Sequence, residues 1–155
     1  MKSYDELVND CLNRVQELFP WDLIEEIEAN KNILLVDVSE PNEFSLAHIP
    51  NALNVPRGTL ESACEYDYDE TVPDLAGGKT RGIVIICRSG KRRVLAADTL
   101  LQMGFTNVRS LKTGLRGWND GEYPLVDAKQ KPVDPDLAED YYTTKLRPEQ
   151  KKPTN

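Results

Sequence analysis

The strongest constraint on the fold is an uninterrupted run of β-branched aliphatic residues, Ile83-Val84-Ile85-Ile86. It is the most apolar run of the chain and predicts a buried central strand. Cys87 ends the run, and the charged segment Arg88-Ser89-Gly90-Lys91-Arg92-Arg93 follows it. A helix-like stretch then continues to Met103, with Gly104 as its stop signal. The pattern predicts a strand, a tight loop and a helix, with a thiol at the start of the loop.

A cysteine in this position is expected to be chemically active. It faces unpaired backbone N–H groups and the positive end of a helix dipole, and both favour thiolate over thiol. Arg88, Lys91, Arg92 and Arg93 place four cations beside it in a chain whose formal net charge is -7. This local reversal of sign predicts that a small anion is attracted to the Cys87 sulfur.

The rest of the chain alternates short apolar runs with helix-like segments, which is typical of an α/β domain with a mostly parallel sheet flanked by helices. The strands are predicted at residues 33–38, 53–55, 83–86 and 108–111, and the main helices at residues 21–29 and 91–103. We expect an amphipathic N-terminal helix over residues 1–20, one α/β domain over residues 21–128 and a loosely ordered C-terminal tail over residues 129–155.

Composition excludes several function classes. The net charge of -7 and the lack of basic clusters outside the Cys87 loop argue against nucleic acid as a partner. No run approaches the roughly 20 apolar residues of a membrane span, and the charged N-terminus is unlike a signal peptide. The three cysteines match neither a disulfide framework nor a zinc site. We therefore expect a soluble cytoplasmic protein with reduced thiols, no metal and no cofactor.

Five motifs, taken together, closely resemble the single-domain rhodanese family of sulfurtransferases. They are Leu35-Val36-Asp37-Val38, Glu43-Phe44, the segment from Ala47 to Pro56, the loop Cys87-Arg88-Ser89-Gly90-Lys91-Arg92, and Gly114-Leu115-Arg116-Gly117-Trp118. They occur in the family's order and spacing, and the match spans about Trp21 to Asp127. The resemblance implies a five-stranded parallel sheet flanked by helices.

The resemblance also implies a reaction. Cys87 would be the nucleophile that carries sulfur, in a cradle of loop amides. The implied substrate-binding residues are Arg88, Ser89, Gly90, Lys91 and Arg92. A donor such as thiosulfate would bind its sulfonate to the cations, lose its outer sulfur to Cys87 and release sulfite. The persulfide would then pass to cyanide or a thiol, and Gly90 is expected to supply dihedral angles that only glycine reaches.

Two alternatives stay open. Ser39 stands where the family usually has Arg, and Arg93 creates a Cys-five-residues-Arg spacing that is similar to related phosphatases and arsenate reductases. The loop wording favours the shorter, sulfur-binding loop, with Arg93 as the first exposed residue of the helix. Alternatively, the same persulfide is exchanged with protein donors or acceptors, so that the chain is a carrier or interaction module.

Other reactive side chains have less specific settings. His48, the only histidine, lies in an Ala-His-Ile-Pro turn and is predicted to be structural, so that Cys87 is activated without a Cys-His pair. Asp37 ends a buried strand and is expected to orient neighbours as a hydrogen-bond acceptor. Cys64, in the acidic excursion over residues 59–81, is more simply an incidental thiol than one that resolves a Cys87 persulfide. Trp118 is expected to anchor the packing of the core.

Overall fold

The computed structural model describes residues 1–29 and 31–154. The strands are β1 (Gln16–Leu18), β2 (Ile33–Asp37), β3 (Leu53–Asn54), β4 (Gly82–Ile86) and β5 (Val108–Leu111). The α-helices are α1 (Tyr4–Leu12), α2 (Pro20–Glu28), α3 (Pro41–Leu46), α4 (Leu60–Ala63), α5 (Pro73–Ala76), α6 (Arg92–Gln102), α7 (Gly114–Asp120) and α8 (Pro135–Tyr142).

The strands form one parallel five-stranded sheet in the order β1-β5-β4-β2-β3. The most apolar run of the sequence is β4, the middle strand, as its burial on both faces requires. The predicted fold class, a five-stranded parallel sheet flanked by helices, is confirmed. Because all strands run the same way, their carboxyl ends share one edge, where Cys87 follows β4 and Val38 follows β2.

Two apolar layers cover the sheet. Ile83, Ile85 and Cys87 contribute to one core cluster, whereas Val84 and Ile86 contribute to the other, as alternation along a strand dictates. Trp118 lies in the second cluster, only 1% exposed, and donates from Nε1 to the Pro124 carbonyl at 2.9 Å. It is the packing anchor that the sequence predicts.

The N-terminal segment differs from its prediction. A helix was expected through residue 20, but α1 ends at Leu12, and β1 follows as an edge strand paired with β5. Val15 and Leu18 are separated by three positions, which suits one face of a helix. In the structure they pack into opposite core clusters, because side chains an odd number of positions apart along an extended segment point to opposite faces. The helix prediction is therefore wrong for residues 16–18.

The C-terminal segment is only in part a loose tail. Asp134 caps α8 by accepting a hydrogen bond from the Asp136 N–H, and α8 buries Ala138 and Tyr142 against the core. Asn119 of α7 also donates to the Pro135 carbonyl at 2.8 Å. Residues 143–154 are mostly exposed. Within the described ranges, no helix has both the length and the apolar character needed to cross a bilayer.

Candidate active site

Cys87 lies at the junction that the sequence predicts. It directly follows β4, and the loop continues to Lys91, which is the N-cap of α6. Its side chain is 0% exposed, so the sulfur lies beneath the surface of the loop. α6 begins at Arg92, so the N–H groups of its first turn, which have no partner within the helix, lie next to this loop.

The start of α7 supports the loop from one side. Leu115 and Arg116 donate their backbone N–H groups to the carbonyls of Cys87 and Arg88, both at 2.9 Å. Gly114 has a φ of +62°, and a Cβ at this position would lie 2.6 Å from the Cys87 oxygen and 2.8 Å from the Arg88 oxygen. Only glycine permits this approach, so Gly114 sets the distance between α7 and the loop.

Gly90 does not have the conformational role predicted for it. Its φ lies outside the left-handed region, and an added Cβ would find nothing within 4 Å. The tight position next to the loop belongs instead to Gly114, which is distant in sequence. The prediction that Gly90 supplies dihedral angles unavailable to other residues is therefore wrong.

The predicted substrate-binding cations all lie at the loop, and each has a protein partner. Arg92 forms a two-pronged ion pair with Glu43, with distances of 2.8 and 3.0 Å. Lys91 forms an ion pair with Asp5. Arg88 differs, because its Nη2 donates to two neutral carbonyls, those of Tyr141 at 3.0 Å and Thr143 at 3.2 Å. Because no carboxylate bonds to Arg88, its positive charge is less compensated than those of Arg92 and Lys91 and is more available to an anionic ligand.

The Glu43–Arg92 pair makes stability depend on pH. The hydrogen bond from Arg92 is the main reason that the pKa of Glu43 is lowered. The pair therefore contributes stability above the unfolded-state value, about 4.3, and loses it as pH falls further. We expect Glu43→Gln to lower the free energy of unfolding by about 1 kcal/mol at neutral pH, and the difference to shrink toward pH 3.

Urea unfolding at both pH values measures this difference. Asp140→Asn is the matched control, since it breaks the exposed Lys145–Asp140 pair and should change little. A destabilisation by Glu43→Gln that is the same at both pH values would contradict this account.

Arg93 is buried, contrary to prediction. It is 8% exposed, donates to the Gly90 carbonyl, and pairs through Nη2 with Glu17 Oε2 at 3.2 Å. Ser110 Oγ donates to the same Glu17 oxygen at 3.2 Å. Glu17 lies in β1, the strand that the sequence analysis assigned to a helix, so its proximity to Arg93 was not foreseen. Arg93 therefore links the loop to β1, and each of its two terminal nitrogens forms a hydrogen bond with a protein group.

Two further predictions concern buried polar groups. His48 is 3% exposed, its Nδ1 lies 2.7 Å from the Phe44 carbonyl oxygen, and its ring stacks on Phe44 at 3.7 Å. These contacts confirm a structural role. Asp37 is 0% exposed and accepts from the Ser39 N–H at 2.9 Å, as expected of an orienting acceptor. Burial raises the pKa of Asp37, and its contacts with Ser39 offset this only in part.

A cavity of about 180 Å³ opens beside the loop at the carboxyl edge of the sheet. Its lining includes Ser39 after β2, Arg88 of the loop, Leu115 of α7 and Tyr142 of α8. Sequence reasoning missed Tyr142 as a site residue. The sequence offers only the adjacent tyrosines at positions 141 and 142 as a signal, and this pair does not indicate where it packs.

The other two cysteines are also buried. Cys64 is 1% exposed and shares a core cluster with Cys87. Burial, together with Glu65 and Glu61, raises the pKa of Cys64 to about 11. Cys11 is 8% exposed, and burial followed by the charge of Asp98 raises its pKa. Neither thiol has a setting that favours thiolate at neutral pH.

The chain is similar to known proteins in both sequence and fold. A family model described as the rhodanese-like domain matches residues 20–121. A protein of Allochromatium vinosum named sulfurtransferase is 30% identical over 112 residues, which are 72% of this chain and 95% of that protein.

The Candida albicans protein named adenylyltransferase and sulfurtransferase UBA4 is 35% identical over 113 residues, which are 71% of this chain but 24% of that protein. A solved structure from Rhodopseudomonas palustris, a protein of unknown function described as a possible tyrosine phosphatase, has a TM-score of 0.74 and 23% identity. The likeness covers 80% of this chain and 94% of that one. At that identity it shows a shared fold alone.

Proposed function

The chain belongs to the rhodanese-like domain family, and from this premise we propose that it is a sulfurtransferase that carries sulfane sulfur on Cys87. Relatives named sulfurtransferases support a transferase of this kind. The observation that carries the proposal is the position of Cys87, between the end of β4 and the N-terminus of α6, within a loop that presents cations.

The proposed reaction has two displacements at sulfur. The Cys87 thiolate attacks the outer sulfur of thiosulfate, a sulfur–sulfur bond forms, and the bond to the sulfonate breaks. The electron pair of that bond leaves with sulfite. A cyanide or thiolate acceptor then attacks the outer sulfur of the persulfide and returns the electron pair to Cys87. The amides at the start of α6 stabilise the negative charge both on the free Cys87 thiolate and on its persulfide.

The three cations of the loop have different roles in this proposal. Arg88, whose guanidinium has only neutral partners, binds the sulfonate of the donor. Arg92 and Lys91 are neutralised by Glu43 and Asp5, and they shape the loop while adding a weaker positive field. Ser89 and Gly90 contribute their backbone amides to the cradle. The donor is thus a small sulfur-containing anion.

The alternatives differ in what they require of the same loop. A Cys-based phosphatase or reductase needs the Arg93 guanidinium at the anion, but its terminal nitrogens are occupied by Gly90 and Glu17. These contacts hold Arg93 on protein partners, and we therefore favour sulfur transfer over that alternative. A persulfide carrier needs only Cys87 and a protein partner as donor or acceptor. Such a partner, and a cytoplasmic location, stay predictions.

Sulfite release from thiosulfate, measured with cyanide and then with a thiol as acceptor, tests the proposal. We expect one sulfite per sulfur transferred, and no release of phosphate from p-nitrophenyl phosphate. A carrier would react slowly with thiosulfate but quickly with a protein persulfide, such as that of a cysteine desulfurase. Phosphatase activity without sulfite release would overturn the proposal.

Cys64 is expected to take no part in the transfer. Because burial and two neighbouring glutamates raise its pKa to about 11, it offers little thiolate near pH 7 to attack a neighbouring persulfide. Cys64→Ala should leave the lifetime of the Cys87 persulfide unchanged, as measured by the decay of the added sulfur in mass spectra. A persulfide that lives several times longer in this variant would instead identify Cys64 as a resolving thiol.

A further inference from the structure

The cavity beside the loop is built partly from a segment outside the matched family region. Tyr142 belongs to α8, whereas the family model ends at residue 121. The carbonyls of Tyr141 and Thr143, on either side of Tyr142, hold the Arg88 guanidinium. The C-terminal segment is thus attached directly to the loop that contains Cys87, and it brings the Tyr142 phenol to the same cavity.

The Tyr142 hydroxyl has no hydrogen-bond partner among the described residues. Tyr142 is 6% exposed, and its buried oxygen carries an unused donor and acceptor. Buried hydroxyls are normally paired, and an unpaired one costs stability. Arg88 Nε is also buried without a partner, so two polar groups that line one cavity have unused donors.

The charges at the cavity favour an anion as the missing partner. The Glu43 carboxylate lines the cavity, but Arg92 neutralises it through both oxygens. Arg88 bonds only to carbonyls. Among the described residues that line the cavity, Glu43 is the only carboxylate, and the nearby Asp37 is not part of the lining. Burial raises the pKa of Tyr142, so its phenol stays a neutral donor. The remaining charge of the cavity is positive.

The cavity is small and close to the loop. Its volume of about 180 Å³ is more than ten times the roughly 10–15 Å³ needed to hold one water, so it has room for a small anion or a short organic acid. Leu115, whose backbone N–H donates to the Cys87 carbonyl, lines the cavity together with Arg88. Ser39 also lines the cavity and adds a hydroxyl to it.

We propose that Tyr142 and Arg88, with Ser39 beside them, form an oxyanion subsite that binds the acidic group of a substrate of Cys87. This inference rests on the proposed sulfur transfer. The bound group is the sulfonate of the donor or the carboxylate of a small thiol acceptor. Tyr142 is therefore a specificity-determining residue supplied by α8.

Kinetics of Tyr142→Phe separate the two sources. In a two-step transfer, kcat/KM for thiosulfate reports the donor step, and kcat/KM for the thiol reports the acceptor step. We expect a loss of about tenfold for thiosulfate or for 3-mercaptopropionate, depending on which acid occupies the subsite, and no change for the neutral 2-mercaptoethanol. Tyr123→Phe is the control, because it removes a partly buried phenol from the same core layer away from the cavity.

Thermal unfolding distinguishes a binding role from a structural one. Removing an unpaired hydroxyl should leave the melting temperature of Tyr142→Phe unchanged or higher. Unchanged kinetics with both acidic substrates, or an equal loss with the neutral thiol, would overturn the subsite.

A binding measurement keeps this test independent of turnover. Sulfite binding to Cys87→Ala, followed by calorimetry, should weaken about tenfold when Tyr142→Phe is added. If wild type transfers no sulfur but this difference in sulfite affinity remains, the proposed function fails while the subsite stands. Equal sulfite affinity in the two proteins would refute the subsite itself.

Discussion

Replacement of Cys87 by alanine should abolish sulfur transfer while leaving the fold intact. The proposed mechanism has no other nucleophile, since the pKa values of the Cys64 and Cys11 thiols are raised. Loss of the attacking atom is expected to lower kcat/KM for thiosulfate by about 10⁴-fold or more. Steady-state sulfite release measures the loss. The circular dichroism spectrum should stay that of wild type, because the substitution removes one sulfur atom from a packed site.

Cys64→Ala is the matched control, since it removes the same atom from the same core cluster. Its rate of transfer should equal that of wild type. Residual activity of Cys87→Ala within tenfold of wild type would exclude Cys87 as the carrier of sulfur. Equal loss in both variants would mean that core packing, rather than the nucleophile, limits the rate.

Gly114→Ala should damage both stability and the active-site loop. The new Cβ would enter at 2.6 and 2.8 Å from the carbonyl oxygens of Cys87 and Arg88, at a φ of +62°. Contacts below 3 Å with backbone cannot be relieved by a side-chain rotation, so α7 and the loop must separate. We expect the free energy of unfolding to fall by about 2 kcal/mol or more. Sulfur transfer should fall as well, because two backbone hydrogen bonds that hold the loop are strained.

Denaturant unfolding and sulfite release measure these effects, with Gly58→Ala as the control. Gly58 has open space around its Cα and no positive φ, so alanine should be tolerated there. If Gly114→Ala were as stable and as active as Gly58→Ala, the close support of the loop by α7 would be excluded.

The parts of the fold with strong local signals were predictable. Ile83 to Ile86 has one physical solution, a strand buried on both faces, and β4 occupies the middle of the sheet. The strand–loop–helix order around Cys87 followed from the same run and the charges after it. β1 was not predictable, because three residues on a sheet edge have no periodicity of their own and depend on pairing with β5.

The contacts that support the loop could not be predicted either, because they join residues that are distant in sequence. Arg93 is buried beside Glu17 and the Gly90 carbonyl, and Glu17 lies in β1, which was predicted to be helical. Gly114 is more than twenty positions from Cys87 in sequence, so its role depends on how α7 packs. Tyr142 reaches the cavity from α8, in a segment too polar to predict as packed. Long-range packing decides each of these positions.

The central claim is a persulfide on Cys87, and intact-protein mass spectrometry after incubation with thiosulfate tests it most directly. Reduced wild type should gain the mass of one sulfur atom, and cyanide should remove it. Cys87→Ala should gain nothing under the same conditions, while Cys64→Ala should behave as wild type. An unchanged wild-type mass with thiosulfate and with a protein persulfide donor, or the same gain in Cys87→Ala, would contradict the assignment of Cys87 as the sulfur carrier.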